Sequence, residues 1–259
     1  MDVRLDGRVA LITGGSTGLG LATAKEFVTS GADVAIVARR SDVLDMARRS
    51  LEALGRGRIH AISADISTMA GVTEAYESTV RTLGKIDVLV NNAGKSETGS
   101  FVNITDETWQ SEFDLKVFAA IRLARLVIPS MKEARWGRII NVLNTASKAP
   151  RAGCAPTSIS RAAGLALTKV LASELAPDSI LVNALLVGLI DSDPWVRKHQ
   201  RDSADHTYEE FLNGMATSVP MGRVGTASKF ARVACFLASD ANGYVTGAAI
   251  NVDGGSPVG

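Results

Sequence analysis

The sequence predicts an α/β fold with a doubly wound parallel sheet of seven strands and helices on both faces. Two observations support this fold class. Short, continuous apolar runs alternate with longer stretches of helical periodicity, as in parallel sheets that are buried on both faces. The first apolar run leads directly into a glycine-rich turn and then into an amphipathic stretch, an order typical of the first unit of such a sheet.

Composition limits the remaining possibilities. The chain has 259 residues, of which 46% are hydrophobic, and its formal net charge is +1. No repeat or linker divides it, so we expect one domain over residues 1–259. The small net charge predicts neither a nucleic-acid partner nor a membrane partner, and the longest apolar run is too short to span a bilayer. Cys154 and Cys235 lack metal-ligand spacing, so we expect a cytoplasmic protein without a metal site.

The elements follow from these patterns in chain order. The predicted strands are Val9–Ile12, Val34–Ala38, Ile59–Ile62, Val88–Asn91, Ile139–Val142, Ile180–Ala184 and Ala249–Val252. The predicted helices cover residues 19–30, 42–54, 70–83, 106–133, 155–176 and 227–239. Ligands of doubly wound sheets bind beyond the carboxyl ends of the strands, where the strand order reverses. The residues directly after each strand are therefore the candidate site.

The turn after the first strand, TGGSTGLG, has the composition of a phosphate-binding loop. We expect Gly14 to form the tight turn, Gly18 to let a pyrophosphate approach the backbone, and Gly20 to let the helix pack on the strand. The N–H groups and the dipole of the first helical turn would then face the anion. The loop residues between these glycines belong to the same predicted site: Ser16, Thr17 and Leu19. The alternative is that the glycines merely end a strand.

Two arginines follow the second strand. A carboxylate at this place would hold the ribose 2′-hydroxyl of NAD, but the chain has Ala38 followed by Arg39 and Arg40. Arg39 can form a bidentate, charge-assisted contact with a phosphate. We therefore predict NADP as the cofactor in preference to NAD, and the alternative is a solvated surface arginine.

Asp65 and Ile66 follow the third strand, and the tetrapeptide NNAG, residues 91–94, follows the fourth. Together, TGxxxGxG and NNAG resemble the short-chain dehydrogenase/reductase family, and later stretches are similar to its β-ketoacyl carrier-protein reductase branch. The resemblance implies a Rossmann fold and an NAD(P)(H)-dependent oxidoreductase, 3-oxoacyl reductase-like, that acts on a small-molecule carbonyl or alcohol.

The resemblance also assigns roles to these residues. Asp65 would contact the adenine amino group, although an Asp here can also N-cap the next helix. Ala93 and Gly94 would let the adenosine side of the cofactor pass close to the backbone, and Asn91 would link neighbouring strands. After the sixth strand, the resemblance places Gly188, Ile190 and Ser192 beside the cofactor pyrophosphate or carboxamide.

The family's Asn-Ser-Tyr-Lys tetrad is missing. The matching positions hold Lys116, Asn144, Thr157 and Arg161, and no tyrosine occurs between Tyr76 and Tyr208 that could restore the motif. This pattern is similar to a divergent, ketoreductase-like subgroup that also lacks the usual tetrad.

The chemistry of the replacements suggests new roles. Arg161 can still bind ribose hydroxyls, but its guanidinium cannot serve as a titratable relay. Thr157 is a poor proton donor, whereas Asn144 can donate to a carbonyl oxygen. Lys116 would act as the general acid if burial beside Arg161 lowers its pKa, and an ordered water could take the same part. Lys148 is a second candidate, and the alternative for Lys116 is a solvated helix lysine.

Two further hypotheses remain open for the function. The chain could be a dinucleotide-binding partner subunit without reductase activity, or a lyase or isomerase on the same scaffold with Lys116 as its base.

Residues of about 193–223 are expected to form a lid over the substrate, and Tyr208 and His206 of this segment are alternative proton donors. The small-residue face formed by Ala162, Ala163 and Ala166 resembles a contact surface of the family tetramers. The C-terminal stretch Val245–Gly255 resembles the other such surface, so we predict a homotetramer or homodimer.

Overall fold

A parallel sheet of seven strands forms the centre of the computed structural model, which describes residues 2–202 and 205–256. The strands are β1 (Val9–Thr13), β2 (Asp33–Ala38), β3 (Ile59–Ser63), β4 (Val88–Asn91), β5 (Gly137–Asn144), β6 (Ile180–Val187) and β7 (Ala249–Val252). The helices are α1 (Gly18–Thr29), α2 (Ser41–Glu52), α3 (Met69–Leu83), α4 (Asp106–Phe113), α5 (Ala119–Ala134), α6 (Thr157–Leu175), α7 (Asp193–Asp202), α8 (Tyr208–Ala216) and α9 (Ala227–Ala238). The predicted fold class is confirmed.

The order of strands across the sheet is β3-β2-β1-β4-β5-β6-β7, and every neighbouring pair is parallel. The chain winds outward from β1 to β3 and then crosses back to β4, so the order reverses between β1 and β4. The carboxyl ends of these two strands therefore border the crevice in which ligands of such sheets bind.

Apolar side chains fill both faces of the sheet. One core joins α1, α2 and α9 to the sheet around Phe27 and Phe230, which have no exposed surface. The other joins α3, α5 and α6 to the opposite face around Leu123 and Met131. Because the strands are covered on both sides, their apolar runs are continuous instead of alternating.

The structure differs from the sequence prediction mainly in element boundaries. The long helix predicted over residues 106–133 is divided by one π-helical turn, Asp114–Phe118, between α4 and α5. A single wider turn hardly disturbs apolar periodicity, so the pattern shows one continuous helix. Strands β5 and β6 extend beyond their predicted ends at Val142 and Ala184, because the residues that follow still pair with each other as far as Asn144 and Val187.

Two short strand pairs stand at the carboxyl edge of the sheet. Thr98–Gly99 pairs antiparallel with Ala155–Pro156, and Ile190–Asp191 pairs parallel with Gly225–Thr226. The first pair fixes the segment after β4 against the start of α6, and the second fixes the segment after β6. Among the described residues, no helix combines the length and apolar character needed to cross a membrane.

Candidate active site

A cleft of ≈ 1420 Å³ runs along the carboxyl ends of the strands. This volume exceeds that of most small-molecule pockets, so it can hold a dinucleotide together with a substrate. It brings together most of the residues predicted to bind the cofactor. Those that line it are Gly14, Ser16, Thr17, Gly18, Leu19, Arg39, Arg40, Asp65, Ile66, Ala93, Gly94, Arg161, Gly188, Ile190 and Ser192. Gly20 and Asn91 do not line it and lie behind it.

The glycine turn between β1 and α1 has the geometry that the sequence predicts. Gly14 has φ +64°, and a Cβ there would lie 2.9 Å from the Cα of Ala93. A Cβ at Gly20 would lie 2.2 Å from the carbonyl oxygen of Gly14, so only glycine permits the start of α1 to pack on the turn. Gly18, with φ +54°, faces open space apart from Ser192, whose Cβ would be 3.9 Å away. Gly14 and Gly20 thus serve close packing, and Gly18 leaves the floor of the cleft bare.

The N-terminus of α1 is open toward the cleft. Thr17 is the N-cap residue, but its side chain makes no capping hydrogen bond, and the first turn of α1 contains no acidic residue. Backbone N–H groups of a first helical turn have no partner within the helix. Together with the helix dipole, they form a site suited to an anion such as a pyrophosphate.

The asparagines of NNAG join the strands beneath the cleft. The side-chain amide of Asn91 donates to the Asn141 side chain of β5 at 2.9 Å, which is the strand-linking role expected for it. Asn92, to which the sequence analysis gave no role, donates to the carbonyl oxygens of Thr13 and Gly14 at 2.9 and 3.1 Å. Its amide therefore holds the glycine turn in place.

Arg39 and Asp65 line the cleft beside each other, after β2 and β3. The Arg39 side chain is 71% exposed, and its guanidinium lies 3.9 Å from a carboxylate oxygen of Asp65. Burial raises the pKa of Asp65, but hydrogen bonds from Ser67 and the charge of Arg39 outweigh that effect and lower it. The alternative reading of Asp65 as a helix cap is wrong, because Thr68 caps α3 by accepting from the Gly71 amide.

Lys116 is buried behind the wall of the cleft. It lies in the π-helical turn, its side chain is 5% exposed, and its ammonium donates to Glu112, whose side chain has no exposed surface. A second bond runs from Lys116 Nζ to Thr157 Oγ1 at 3.1 Å. Burial and the nearby Arg161 guanidinium lower the pKa of Lys116 to about 8, although Glu112 acts in the opposite direction. The alternative of a solvated helix lysine is therefore wrong.

Thr157 stands at the first residue of α6 and is 3% exposed. Its hydroxyl accepts from the Glu97 amide at 2.9 Å and lies within bonding distance of the Glu97 carbonyl and the Glu112 carboxylate, at 2.7 and 3.0 Å. The one hydroxyl proton can be donated to only one of these oxygens. Thr157 thus connects the segment after β4 with Lys116 and Glu112.

Arg161 and Asn144 form the wall between Lys116 and the cleft. Arg161 Nη1 donates to the Val142 carbonyl at 3.1 Å, and its Nε has no partner among the described residues. Burial lowers the pKa of Arg161, and Glu112 opposes this shift. Asn144 ends β5, and its buried Oδ1 is likewise unpartnered within the described part of the chain. A Cβ at Gly94 would lie 3.4 Å from both Arg161 Nη2 and Lys116 Cε, so NNAG ends directly against these two cations.

Lys148 and the two alternative proton donors of the predicted lid lie outside the cleft, whereas Trp195 and Ser218 of the lid segment line it. Lys148 Nζ donates to the Ala249 carbonyl and the Asn251 side chain at 3.0 and 2.7 Å, and Lys148 does not line the cleft. Tyr208 donates to the Asp191 carboxylate at 2.6 Å, and neither Tyr208 nor His206 is a cleft-lining residue. Residues 203 and 204 of the segment 193–223 lie outside the described residues.

Comparisons with known proteins agree with this geometry. The family model of short chain dehydrogenase matches residues 8–203. The chain belongs to the short-chain dehydrogenase family. A 3-oxoacyl-acyl-carrier-protein reductase FabG from Chlamydia pneumoniae is 35% identical over 255 residues, with 98% of this chain and 99% of that protein covered.

Solved structures of other short-chain dehydrogenases superimpose over nearly the whole chain. L-sorbose reductase from Gluconobacter frateurii, complexed with NADPH and L-sorbose, has a TM-score of 0.93 and 34% identity, covering 99% of this chain and 98% of that one. An NADPH-bound short chain oxidoreductase from Pseudomonas aeruginosa PAO1, containing an atypical catalytic center, has a TM-score of 0.89 and 34% identity, covering 98% of both chains. The protein is thus an oxidoreductase of the short-chain dehydrogenase family.

Glu112 is the residue of this short-chain dehydrogenase that the sequence analysis missed. It precedes Lys116 by four positions, a spacing at which a carboxylate and a lysine meet on a helix. That spacing is common on solvated helix faces, so it carries little information until burial is known. The structure shows that the pair is buried and connects to Thr157.

Proposed function

We propose that this protein is an NADP(H)-dependent oxidoreductase that interconverts a carbonyl compound and its alcohol, with Lys116 as the source of the proton. The observation that carries the proposal is the burial of the Lys116 ammonium between Glu112, Thr157 and Arg161, at the base of the dinucleotide cleft. Its NADPH-bound structural relatives support the choice of cofactor.

The residues present fit a dinucleotide with a 2′-phosphate. Gly18 leaves the floor of the cleft bare beside the open N-terminus of α1, where a pyrophosphate would be held. Arg39 and Arg40 line the adenosine end, where the 2′-phosphate would meet their guanidinium groups. Asp65 would meet the adenine, and Gly188, Ile190 and Ser192 would lie beside the nicotinamide half. When bound, NADPH supplies a hydride to the carbonyl carbon of the substrate.

Lys116 provides the complementary proton in this proposal. Its ammonium borders a cavity of ≈ 20 Å³ that is also lined by Asn91 and Arg161. This volume is enough for one water. Ala93 and Arg161 line both the cavity and the cleft, which supports a route in which one water would carry the proton from the Lys116 ammonium to the substrate oxygen. In the oxidation direction, neutral Lys116 takes the proton back by the same route.

Asn144 and Arg161 position the reactants. The side-chain amide of Asn144 lines the cleft at the end of β5 and can donate to the carbonyl oxygen as negative charge develops there. Arg161 has donor capacity beyond its bond to Val142, and this capacity suits the hydroxyl groups of the nicotinamide ribose. Thr157, with its hydroxyl already engaged, positions Lys116 instead of donating the proton itself.

Replacement of Lys116 tests the proposal. Lys116→Met should lower the rate of carbonyl reduction by about 10²–10⁴-fold, because a positioned acid contributes that much. NADPH affinity, measured by calorimetry, should stay close to that of the wild type. Lys148→Met is the matched control, since Lys148 lies outside the cleft, and it should retain turnover. Full activity of Lys116→Met would reject the role of Lys116 and leave only the dinucleotide site.

The pH dependence should follow the protonation of Lys116. Reduction needs the charged ammonium, so kcat should be maximal at low pH and fall as pH rises through about 8, the lowered pKa of Lys116. Oxidation of the alcohol needs the neutral amine, so its kcat should rise over the same interval. Rates measured in both directions from pH 6 to 10 check this. If kcat for reduction and kcat for oxidation changed in the same direction with pH, the prediction would be wrong.

A further inference from the structure

We propose that Glu112 is a positioning residue that holds the Lys116 ammonium at the base of the cleft and keeps it charged for proton donation. This inference rests on the proposed role of Lys116. Glu112 stands in α4, outside the residues that line the cleft, and therefore acts only through its neighbours.

Only one of the two carboxylate oxygens of Glu112 makes polar contacts among the described residues. Its Oε2 receives the Lys116 ammonium and lies 3.0 Å from Thr157 Oγ1 and 3.4 Å from Ser160 Oγ. Its Oε1 is buried and has no partner among the described residues. The side chain has no exposed surface at all, whereas most residues of α4 are exposed or half-buried. A buried carboxylate carries a desolvation cost that an apolar side chain at this position would not have. Its contribution to stability alone therefore does not explain its presence.

The charges around Lys116 explain why a carboxylate is needed. Arg161 faces Lys116 from α6, and repulsion between the two buried cations favours loss of the lysine proton. Glu112 on α4 and, more weakly, Glu97 in the segment after β4 favour the charged lysine. Glu97 is also partly committed elsewhere, because its carboxylate pairs with Lys95 at 2.7 Å and is 42% exposed. Glu112 is thus the principal counter-charge that keeps Lys116 protonated.

Thr157 gives the Lys116 ammonium a second contact, which fixes its position beside Glu112. Lys116 Nζ contacts both Glu112 Oε2 and Thr157 Oγ1, and these two atoms are themselves 3.0 Å apart. Because the backbone of Glu97 fixes the threonine hydroxyl at 2.7 and 2.9 Å, the triangle formed by Glu112, Lys116 and Thr157 is attached to the segment that follows NNAG. The position of the Lys116 ammonium is therefore set by side chains from two helices and by the backbone of one loop.

The variant Glu112→Gln distinguishes an electrostatic role of Glu112 toward Lys116 from a purely structural role. Without the carboxylate charge, the titration of Lys116 should move about 1 unit or more toward lower pH, since an opposite charge at contact distance changes a pKa by that amount. Reduction at pH 7.5 should then fall about threefold or more and recover as pH is lowered, whereas alcohol oxidation at pH 7.5 should be retained. Glu107→Gln, an exposed residue of the same helix, is the matched control and should leave both profiles unchanged.

A direct measurement of Lys116 makes the result independent of turnover. The 13Cε resonance of Lys116, assigned through its loss in Lys116→Met, should titrate at lower pH in Glu112→Gln than in the wild type without cofactor. An unmoved resonance and an unmoved pH profile would overturn the inference. If Glu112→Gln does not fold, Glu112→Asp retains the charge but withdraws it from Nζ, and it should produce a smaller shift in the same direction.

The two proposals fail in different ways. If Lys116→Met remains fully active, the proposed role of Lys116 is wrong, and the resonance of Lys116 still reports whether Glu112 keeps it charged. If Lys116→Met is inactive but Glu112→Gln moves neither the resonance nor the profile, Lys116 keeps its role and Glu112 is only structural.

Discussion

At the scale of single residues, the buried charges of this site offset one another. A buried lysine next to a buried arginine would be unfavourable, and Glu112 offsets one of the two positive charges. Thr157, in place of the usual tyrosine, lines the cleft, and its hydroxyl accepts a hydrogen bond from Lys116 Nζ at 3.1 Å. Lys116 and Thr157 are bonded directly, and Glu112 contacts both of them.

Arg39 carries a prediction about cofactor choice. Arg39→Asp should weaken NADPH binding by about 10–100-fold, because a hydrogen-bonded contact to a charged group is lost and a repulsive one is introduced. NADH affinity should not fall, since NADH lacks the 2′-phosphate. Calorimetric titration of both nucleotides checks this, and the exposed Arg232→Asp on α9 serves as a charge-matched control. Equal affinity of the wild type for NADPH and NADH would refute the argument from Arg39.

At the scale of elements, one π-helical turn decides where the proposed proton source lies. It interrupts α4 and α5 at Asp114–Phe118 and contains Lys116. Such turns occur frequently at functional sites because they disturb the regular spacing of side chains. The start of α1 is also constrained at Gly20, which packs against the turn and against Asn92 of NNAG with no space for a side chain.

Gly20→Ala should reveal this packing. The added Cβ would lie 2.2 Å from the Gly14 carbonyl oxygen, so we expect a loss of about 1–3 kcal/mol in the free energy of unfolding and weaker NADPH binding. Gly214→Ala in α8 is the control, because a Cβ there meets nothing within 4 Å. That substitution should stabilise by up to about 1 kcal/mol. Chemical denaturation measures both, and a Gly20→Ala variant as stable as the wild type would contradict the packing argument.

At the scale of the whole molecule, one exposed face of α6 bears on the predicted self-association. On α6, Ala166 is exposed, and Val170, one turn further on, is 53% exposed. With Ala162 they form an apolar, small-residue stripe that would let a second copy approach closely, which supports our prediction of a homodimer or homotetramer. Large apolar side chains exposed together on one face often mark such an interface.

Ala166→Arg tests this surface. A bulky charge in the stripe should reduce the sedimentation coefficient from that of an oligomer to that of a single chain at micromolar concentration. Met46→Arg is the control, because Met46 is 71% exposed on α2, away from the stripe. A wild-type protein that sediments as a single chain at every concentration would exclude the oligomer.

The sequence by itself determined the fold class, the glycine turn after β1 and the order of the candidate site segments along the strands. These features depend on local patterns: apolar runs, glycine spacing and short motifs. Only the tertiary structure decided that Lys116 is buried, that Lys148 points toward β7, that Asp65 does not cap α3, and that Glu112 belongs to the site. Burial and charge pairing arise from contacts between distant segments, and a protonation state follows from those contacts, so no local pattern specifies it.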